Sequence, residues 1–215
     1  MKKLFAVGVG PGDQELLTLK AVRVLKECDL VFIPRVKDMA LAESIVSSFI
    51  ESQKKVYIDF LMDGTDFDNY SNVINLINKA EFEKAAFITM GDPLTYSTFV
   101  NLLDELKKTD LEIEVVPAVT SFTAAFSRLI IPFAKKGQRV VVTDSGITRE
   151  ILESVDIVCL LKAKRNKYLL DLLRNCGFNC YYVKRCYMEG EGIFTKDEDI
   201  LKDDDYFSIL IGVRE

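Results

Sequence analysis

The 215-residue chain contains no histidine. That absence excludes Ser-His-Asp and Cys-His catalysis and any histidine general base, leaving carboxylates, Tyr, Lys, backbone dipoles or simple positioning. Cysteine is sparse and odd in number: Cys28, Cys159, Cys176, Cys180 and Cys186, with no CxxC pair. Structural zinc sites need four Cys or His ligands at defined spacing, so no metal site is expected. Most of these cysteines sit in apolar patterns and are expected to be reduced thiols of a cytoplasmic protein. No apolar run approaches the ~18–20 residues that span a bilayer, so no membrane association is expected. Basic excess is also missing. Net charge is −5 with a pI near 5.0, which speaks against a nucleic-acid partner, since such domains carry a basic patch or stripe. No GxxxxGK[ST] occurs, so a P-loop NTPase is excluded. Repeats and low-complexity segments are absent too.

What remains is ordinary globular composition, 49% hydrophobic and 28% charged, sufficient for one large or two small domains. The opening MKKLFAVGVGPGD has an apolar run too short for a signal peptide and no small-residue cleavage site, so it reads as a first strand and a turn. Strand-like runs at 3–9, 29–33 (stopped by Pro34), 55–60, 85–90 and 111–116 alternate with helical stripes. Such alternation predicts a mostly parallel sheet covered on both faces. Near Pro117 the texture changes. The later runs at 178–186, 192–195 and 206–213 have hairpin-like spacing, which predicts a mixed sheet. The expectation is therefore two α/β domains, 1–116 and 117–215, with the ligand site in the cleft between them.

The most informative stretch is Ala85–Phe99. An apolar strand ends in Gly91-Asp92-Pro93, and a helical face (Phe99, Leu102, Leu103, Leu106) begins a few residues on. In open α/β sheets ligands bind at strand carboxyl ends. Gly91 permits close backbone approach, Asp92 brings a carboxylate, and Pro93 stiffens the loop. GDP is equally good turn chemistry. The first loop, Gly8-Val9-Gly10-Pro11-Gly12-Asp13, fails the dinucleotide fingerprint: Asp13 stands where a third glycine is required, and Pro11 removes a donor. A plain turn also accounts for its glycines.

Taken together, GVGPGDQELLTLKAVRVLKECDLVFIP, GDPLTYSTF and PAVTSFTAAFSRLIIPFA resemble the tetrapyrrole methylase family. The resemblance covers most of the chain. It implies two α/β domains with mostly parallel or mixed sheets, S-adenosylmethionine (SAM) as cofactor in the cleft between them, S-adenosylhomocysteine as product, and a homodimer. YST after GDP, with LLKAKRN, VKRCYMEGEG and DYFSILIGVR, is similar to members that methylate carbon 20 of precorrin-2 or cobalt-precorrin-2. Carried over by position, the implied cofactor contacts are Pro11, Met90, Gly91, Asp92, Thr95, Thr120, Ser121, Leu161 and Cys186; the last two also read as plain core. The chain departs from the family at Ala118 and Ile130, where glycine is usual, and Ala118 raises the question of its backbone conformation.

SAM carries its own leaving group, so alignment can supply up to ~7–11 kcal/mol of the barrier reduction without covalent catalysis. That suits a chain without histidine. The candidate catalytic residues are Asp92, which either hydrogen-bonds the cofactor or removes a proton, and Tyr96, which either removes that proton or lines the pocket. Lys162, Lys164 and Arg165 either pair with substrate carboxylates or form a solvated helix start. The remaining alternatives are a family member with a different target carbon and a non-catalytic cofactor-binding module.

Overall fold

A computed structural model describes residues 2–36, 39–60, 67–164 and 167–214, with residues 67–69 described by backbone alone. The chain divides into two compact units, Met1–Thr120 and Ser121–Glu215.

Unit 1 contains β1 (Lys3–Gly8), α1 (Leu19–Glu27), β2 (Leu30–Arg35), α2 (Leu41–Val46), β3 (Lys54–Asp59), α3 (Phe67–Lys79), β4 (Lys84–Thr89), α4 (Thr98–Leu106) and β5 (Glu112–Val116). The sheet order is β3-β2-β4-β1-β5, and every pairing is parallel. The central strands β1, β2 and β4 are mostly apolar because both faces are buried, while the edge strands β3 and β5 carry Lys54, Lys55, Asp59, Glu112 and Glu114. Phe5, Val7, Val31, Ile33, Ala86 and Ile88 pack with Ala21, Val24 and Leu25 of α1 and Ala42, Ile45 and Val46 of α2. On the other face Leu4, Ala6, Phe32, Ala85 and Phe87 meet Val73 and Ile77 of α3 and Phe99, Leu102 and Leu106 of α4. Each fully buried Leu or Phe contributes about 1.5–3 kcal/mol of burial free energy.

Strand β2 runs two residues beyond Ile33, through Pro34 to Arg35. Its pairing with β4 ends at Phe32, while the Arg35 carbonyl accepts the Phe60 N–H on the β3 side. Pro34 therefore faces a side with no ladder bond to lose. Helix α2 is short and is followed by a 3-10 turn over Ser47–Phe49.

Unit 2 contains α5 (Ser121–Leu129), β6 (Val140–Thr143), α6 (Arg149–Glu153), β7 (Ile157–Leu161), α7 (Lys167–Asn175), β8 (Asn179–Lys184), β9 (Gly192–Phe194), α8 (Asp197–Ile200) and β10 (Ser208–Val213). The order β6-β7-β10-β8-β9 has one parallel pair, β6 with β7, and three antiparallel ones. Val158, Leu160, Cys180, Tyr182 and Leu210 form its core with Leu152, Leu170, Leu173 and Ile200 from the helices. Thr148 caps α6 by accepting the Ile151 N–H, which is why that short helix starts where it does. The one-turn α8 buries only Ile200, too little for a periodic signal in sequence. Among the described residues no helix is long and apolar enough to cross a membrane.

Candidate active site

In unit 1, β1 and β4 are adjacent and in register, Gly8 opposite Thr89. Their loops therefore leave the sheet side by side. The Val9 N–H reaches the Thr89 carbonyl at 3.0 Å, and Gly10 and Gly91 exchange backbone bonds of 3.3 and 2.8 Å. Both glycines are left-handed, φ 77 and 65, a conformation that side chains resist. Among the described residues nothing lies within 4 Å of where a Gly91 Cβ would stand, so they leave that side of the backbone open.

Gly8 is the opposite case. A Cβ there would stand 2.6 Å from the Ala118 Cβ, 2.6 Å from the Gly91 carbonyl oxygen and 2.8 Å from the Pro93 Cδ. The end of β1, the GDP loop and the segment after β5 meet at this residue. Ala118 is not among the residues with positive φ, so its side chain costs no backbone strain. Its methyl fits because Gly8 has none.

Asp92 joins the same pieces. Its Oδ1 accepts the Leu94 N–H (2.9 Å) and the Thr95 hydroxyl (3.2 Å), while Oδ2 accepts the Ala118 N–H (3.1 Å). Both oxygens are thus engaged in shaping the loop. The Ser97 hydroxyl donates to the Pro93 carbonyl and so does not cap α4. Tyr96, 45% exposed, sits at φ 49. Non-glycine residues in that region cost of order 1–3 kcal/mol and cluster at functional loops.

Pro11 is buried. Asp13 accepts the Glu15 N–H at 2.8 Å and caps the 3-10 turn Gln14–Leu16, so the residue that breaks the dinucleotide fingerprint is a cap. Met90 is half-buried against the α1–α2 side of the core. Thr120 closes unit 1, and Ser121 opens α5.

In unit 2, β7 and β8 both run antiparallel to β10, so their carboxyl ends share one sheet edge. Leu161 is the last residue of β7, and Cys186 lies two residues beyond β8. Both are buried. At this edge Lys162, Arg185 and Tyr187 have φ of 54, 47 and 59. Burial, reinforced by the nearby Glu191 carboxylate, pushes the Cys186 thiol up to about 12, so it is a neutral group and no nucleophile. The loop carrying it is pinned from α5. Arg128 donates Nε and Nη2 to the two oxygens of Glu191, and Glu191 also accepts the Tyr187 N–H at 3.1 Å. The Arg128 guanidinium lies 4.9 Å from the Tyr187 ring centre and, as a hydrogen-bonded cation, holds the Glu191 carboxyl below its ordinary range.

Gly8, Arg128 and Glu191 were not singled out by sequence reasoning. A glycine ending an apolar strand was the available signal for Gly8; residues 63 apart leave none for the ion pair. Arg165 lies outside the described residues. Among the described residues no group of three or more His, Cys, Asp or Glu side chains is arranged to hold a metal ion.

The two α/β units, one on a parallel sheet with paired glycine loops and one on a mixed sheet, carry no histidine. Residues 3–200 match the Tetrapyrrole (Corrin/Porphyrin) Methylases, and the chain belongs to that family. It is 30% identical over its whole length, and over 97% of the relative, to a probable cobalt-precorrin-2 C(20)-methyltransferase of Methanocaldococcus jannaschii. It is 33% identical to the cobalt-precorrin-2 C(20)-methyltransferase of Salmonella typhimurium over 65% of this chain and 62% of that one. Among solved structures, the uroporphyrin-III C-methyltransferase of Thermus thermophilus, complexed with S-adenosyl homocysteine, superposes with a TM-score of 0.75. That match covers 98% of this chain and 97% of the other at 21% identity, a likeness of fold.

Proposed function

We propose that the chain is a SAM-dependent C-methyltransferase acting on carbon 20 of precorrin-2 or cobalt-precorrin-2. The observation that carries the reading is the full-length match to a relative bearing that activity in its name, joined to the GDPLTYST loop. When bound, SAM supplies a methyl group already attached to its leaving group. The open side of Gly91 fits a ligand laid against the backbone. Pro11, Met90, Gly91, Thr95, Thr120, Ser121, Leu161 and Cys186 would hold the cofactor.

With SAM bound, the substrate carbon would take the methyl as the sulfur–methyl bond breaks with its electron pair left on sulfur, releasing S-adenosylhomocysteine, and that carbon would then lose its own proton. Asp92, with both oxygens engaged, serves here as a positioning residue. Tyr96 is the side chain left to line the substrate or take the proton. The buried apolar groups at Leu161 and Cys186 would help keep water from the cofactor, whose positive charge disperses in the transition state and favours a dry site. The assembly expected is a homodimer.

The test is anaerobic, mass-resolved turnover with SAM and precorrin-2 in metal-free and cobalt forms. Gain of one methyl, mapped to carbon 20 by NMR, is the expected result. Methylation at another carbon selects a different family member's reaction. S-adenosylhomocysteine binding with no transfer to either form rejects the substrate.

A further inference from the structure

At the unit 2 edge, directly after β7, Lys162 and Lys164 flank the buried Ala163. The turn is fixed at two points. The Lys164 N–H donates to the Lys162 carbonyl at 2.9 Å, and the Ala163 N–H donates to the Ser208 carbonyl at 3.3 Å. With Ala163 anchored inward, both lysines are exposed. They converge on one ring: Lys162 Nζ is 6.0 Å and Lys164 Nζ 5.4 Å from the Tyr206 centroid. Tyr206 is itself braced edge-on by Phe207 at 5.2 Å.

Of the three aspartates just before this ring, Asp204 is exposed and the other two are engaged elsewhere. Asp203 is taken by Lys184 and Tyr182, and Asp205 by Arg185 and the Phe207 N–H. Among the described residues neither Lys162 nor Lys164 has a carboxylate partner. Two like charges over one aromatic face repel each other, and an exposed cation–π contact is a weak return for that repulsion. The turn that presents them also holds Lys162 at φ 54. A pair of exposed cations on a turn fixed by backbone hydrogen bonds, beside one aromatic ring, is complementary to an anionic ligand with a flat conjugated body.

We propose that Lys162, Lys164 and Tyr206 form the edge of the substrate site that binds the side-chain carboxylates of the macrocycle, the ammonium groups pairing with carboxylates and the ring supporting the flat body. This rests on the tetrapyrrole reading above and adds specificity residues to it. Carboxylate number, rather than the metal, is then what this edge senses.

The test uses the whole chain and a fluorescent porphyrin bearing acetate and propionate side chains, with a propionate-only porphyrin for comparison. In K162Q/K164Q, affinity for the carboxylate-rich porphyrin should fall about tenfold, as expected for two partly exposed charge pairs. Its salt dependence should flatten, and its advantage over the propionate-only porphyrin should shrink. S-adenosylhomocysteine affinity should stay unchanged, and K162R/K164R should recover most of the loss. Equal porphyrin affinity in wild type and K162Q/K164Q overturns the proposal alone. Loss of S-adenosylhomocysteine affinity in step with porphyrin affinity overturns it in favour of a cofactor contact. A wild-type chain that binds neither porphyrin overturns the tetrapyrrole reading and this site with it.

Discussion

Replacing Gly8 by alanine adds one methyl group at the point where three segments of unit 1 meet. The new Cβ would stand 2.6 Å from the Ala118 Cβ, 2.6 Å from the Gly91 oxygen and 2.8 Å from the Pro93 Cδ. Carbon contacts are ordinarily optimal near 3.5–4.0 Å, so each neighbour would have to retreat by about an ångström. None is the free end of a flexible side chain: one is a backbone carbonyl, one a proline ring and one a methyl fixed to its own backbone. Overpacking a tight site typically costs 1–3 kcal/mol, and three rigid neighbours place Gly8→Ala at the upper end, about 3 kcal/mol. For a chain of this size that lowers Tm by roughly 6–12 °C. Because Gly91 and Asp92 belong to the displaced loop, S-adenosylhomocysteine affinity should fall as well. Ala118→Gly introduced beside it removes one contact of the three and should restore less than half of the stability. Denaturant titration and calorimetric binding on the single and double variants measure both effects. A Gly8→Ala chain within 0.5 kcal/mol of wild type, binding S-adenosylhomocysteine normally, refutes the close packing described at this site.

Three other outcomes follow from the same geometry. Asp92→Asn sets an amide donor against the Ala118 N–H, a mismatch of about 1–3 kcal/mol. It should weaken S-adenosylhomocysteine binding roughly tenfold or more while leaving turnover at saturating cofactor largely intact; unchanged binding with kcat lowered 10²- to 10⁴-fold would instead make Asp92 a base. Ile130 is 91% exposed at φ 57, where it closes α5 through bonds from Ile130 N–H to Ser127 and from Ile131 N–H to Phe126. Ile130→Gly loses no burial and removes left-handed strain, partly offset by the looser unfolded chain, for a gain of about 1 kcal/mol; denaturant midpoints check it, and a loss of stability refutes it. Glu191 titrates below its ordinary value because Arg128 hydrogen-bonds its charged form. Its contribution is present above the unfolded pKa and is lost as pH falls through the folded one. Wild type should therefore lose more stability than Glu191→Gln between pH 7 and pH 4, and parallel curves would show that the pair contributes nothing.

The fold class was written in the pattern of apolar residues. Strands buried on both faces have nowhere to place a polar residue, so Leu4–Val7 and Ala85–Ile88 read as strands from sequence, and the stripe Phe99, Leu102, Leu106 can only be a helix face. The two glycine loops were legible as well, because a left-handed turn leaves few alternatives to glycine. Resemblance of motifs, rather than spacing, supplied the family. Tertiary structure alone decided how the loops use those residues. No sequence pattern states that the Asp92 carboxylate bridges its own loop to Ala118, that Asp13 is a cap, or that Gly8 must lack a side chain because Ala118 has one. Arg128 and Glu191, and the convergence of Lys162 and Lys164 on Tyr206, were equally hidden. Local periodicity reports which face of an element meets the core. It carries no information about which distant residue waits there, since that is fixed by strand order and by the carboxyl ends that order places side by side.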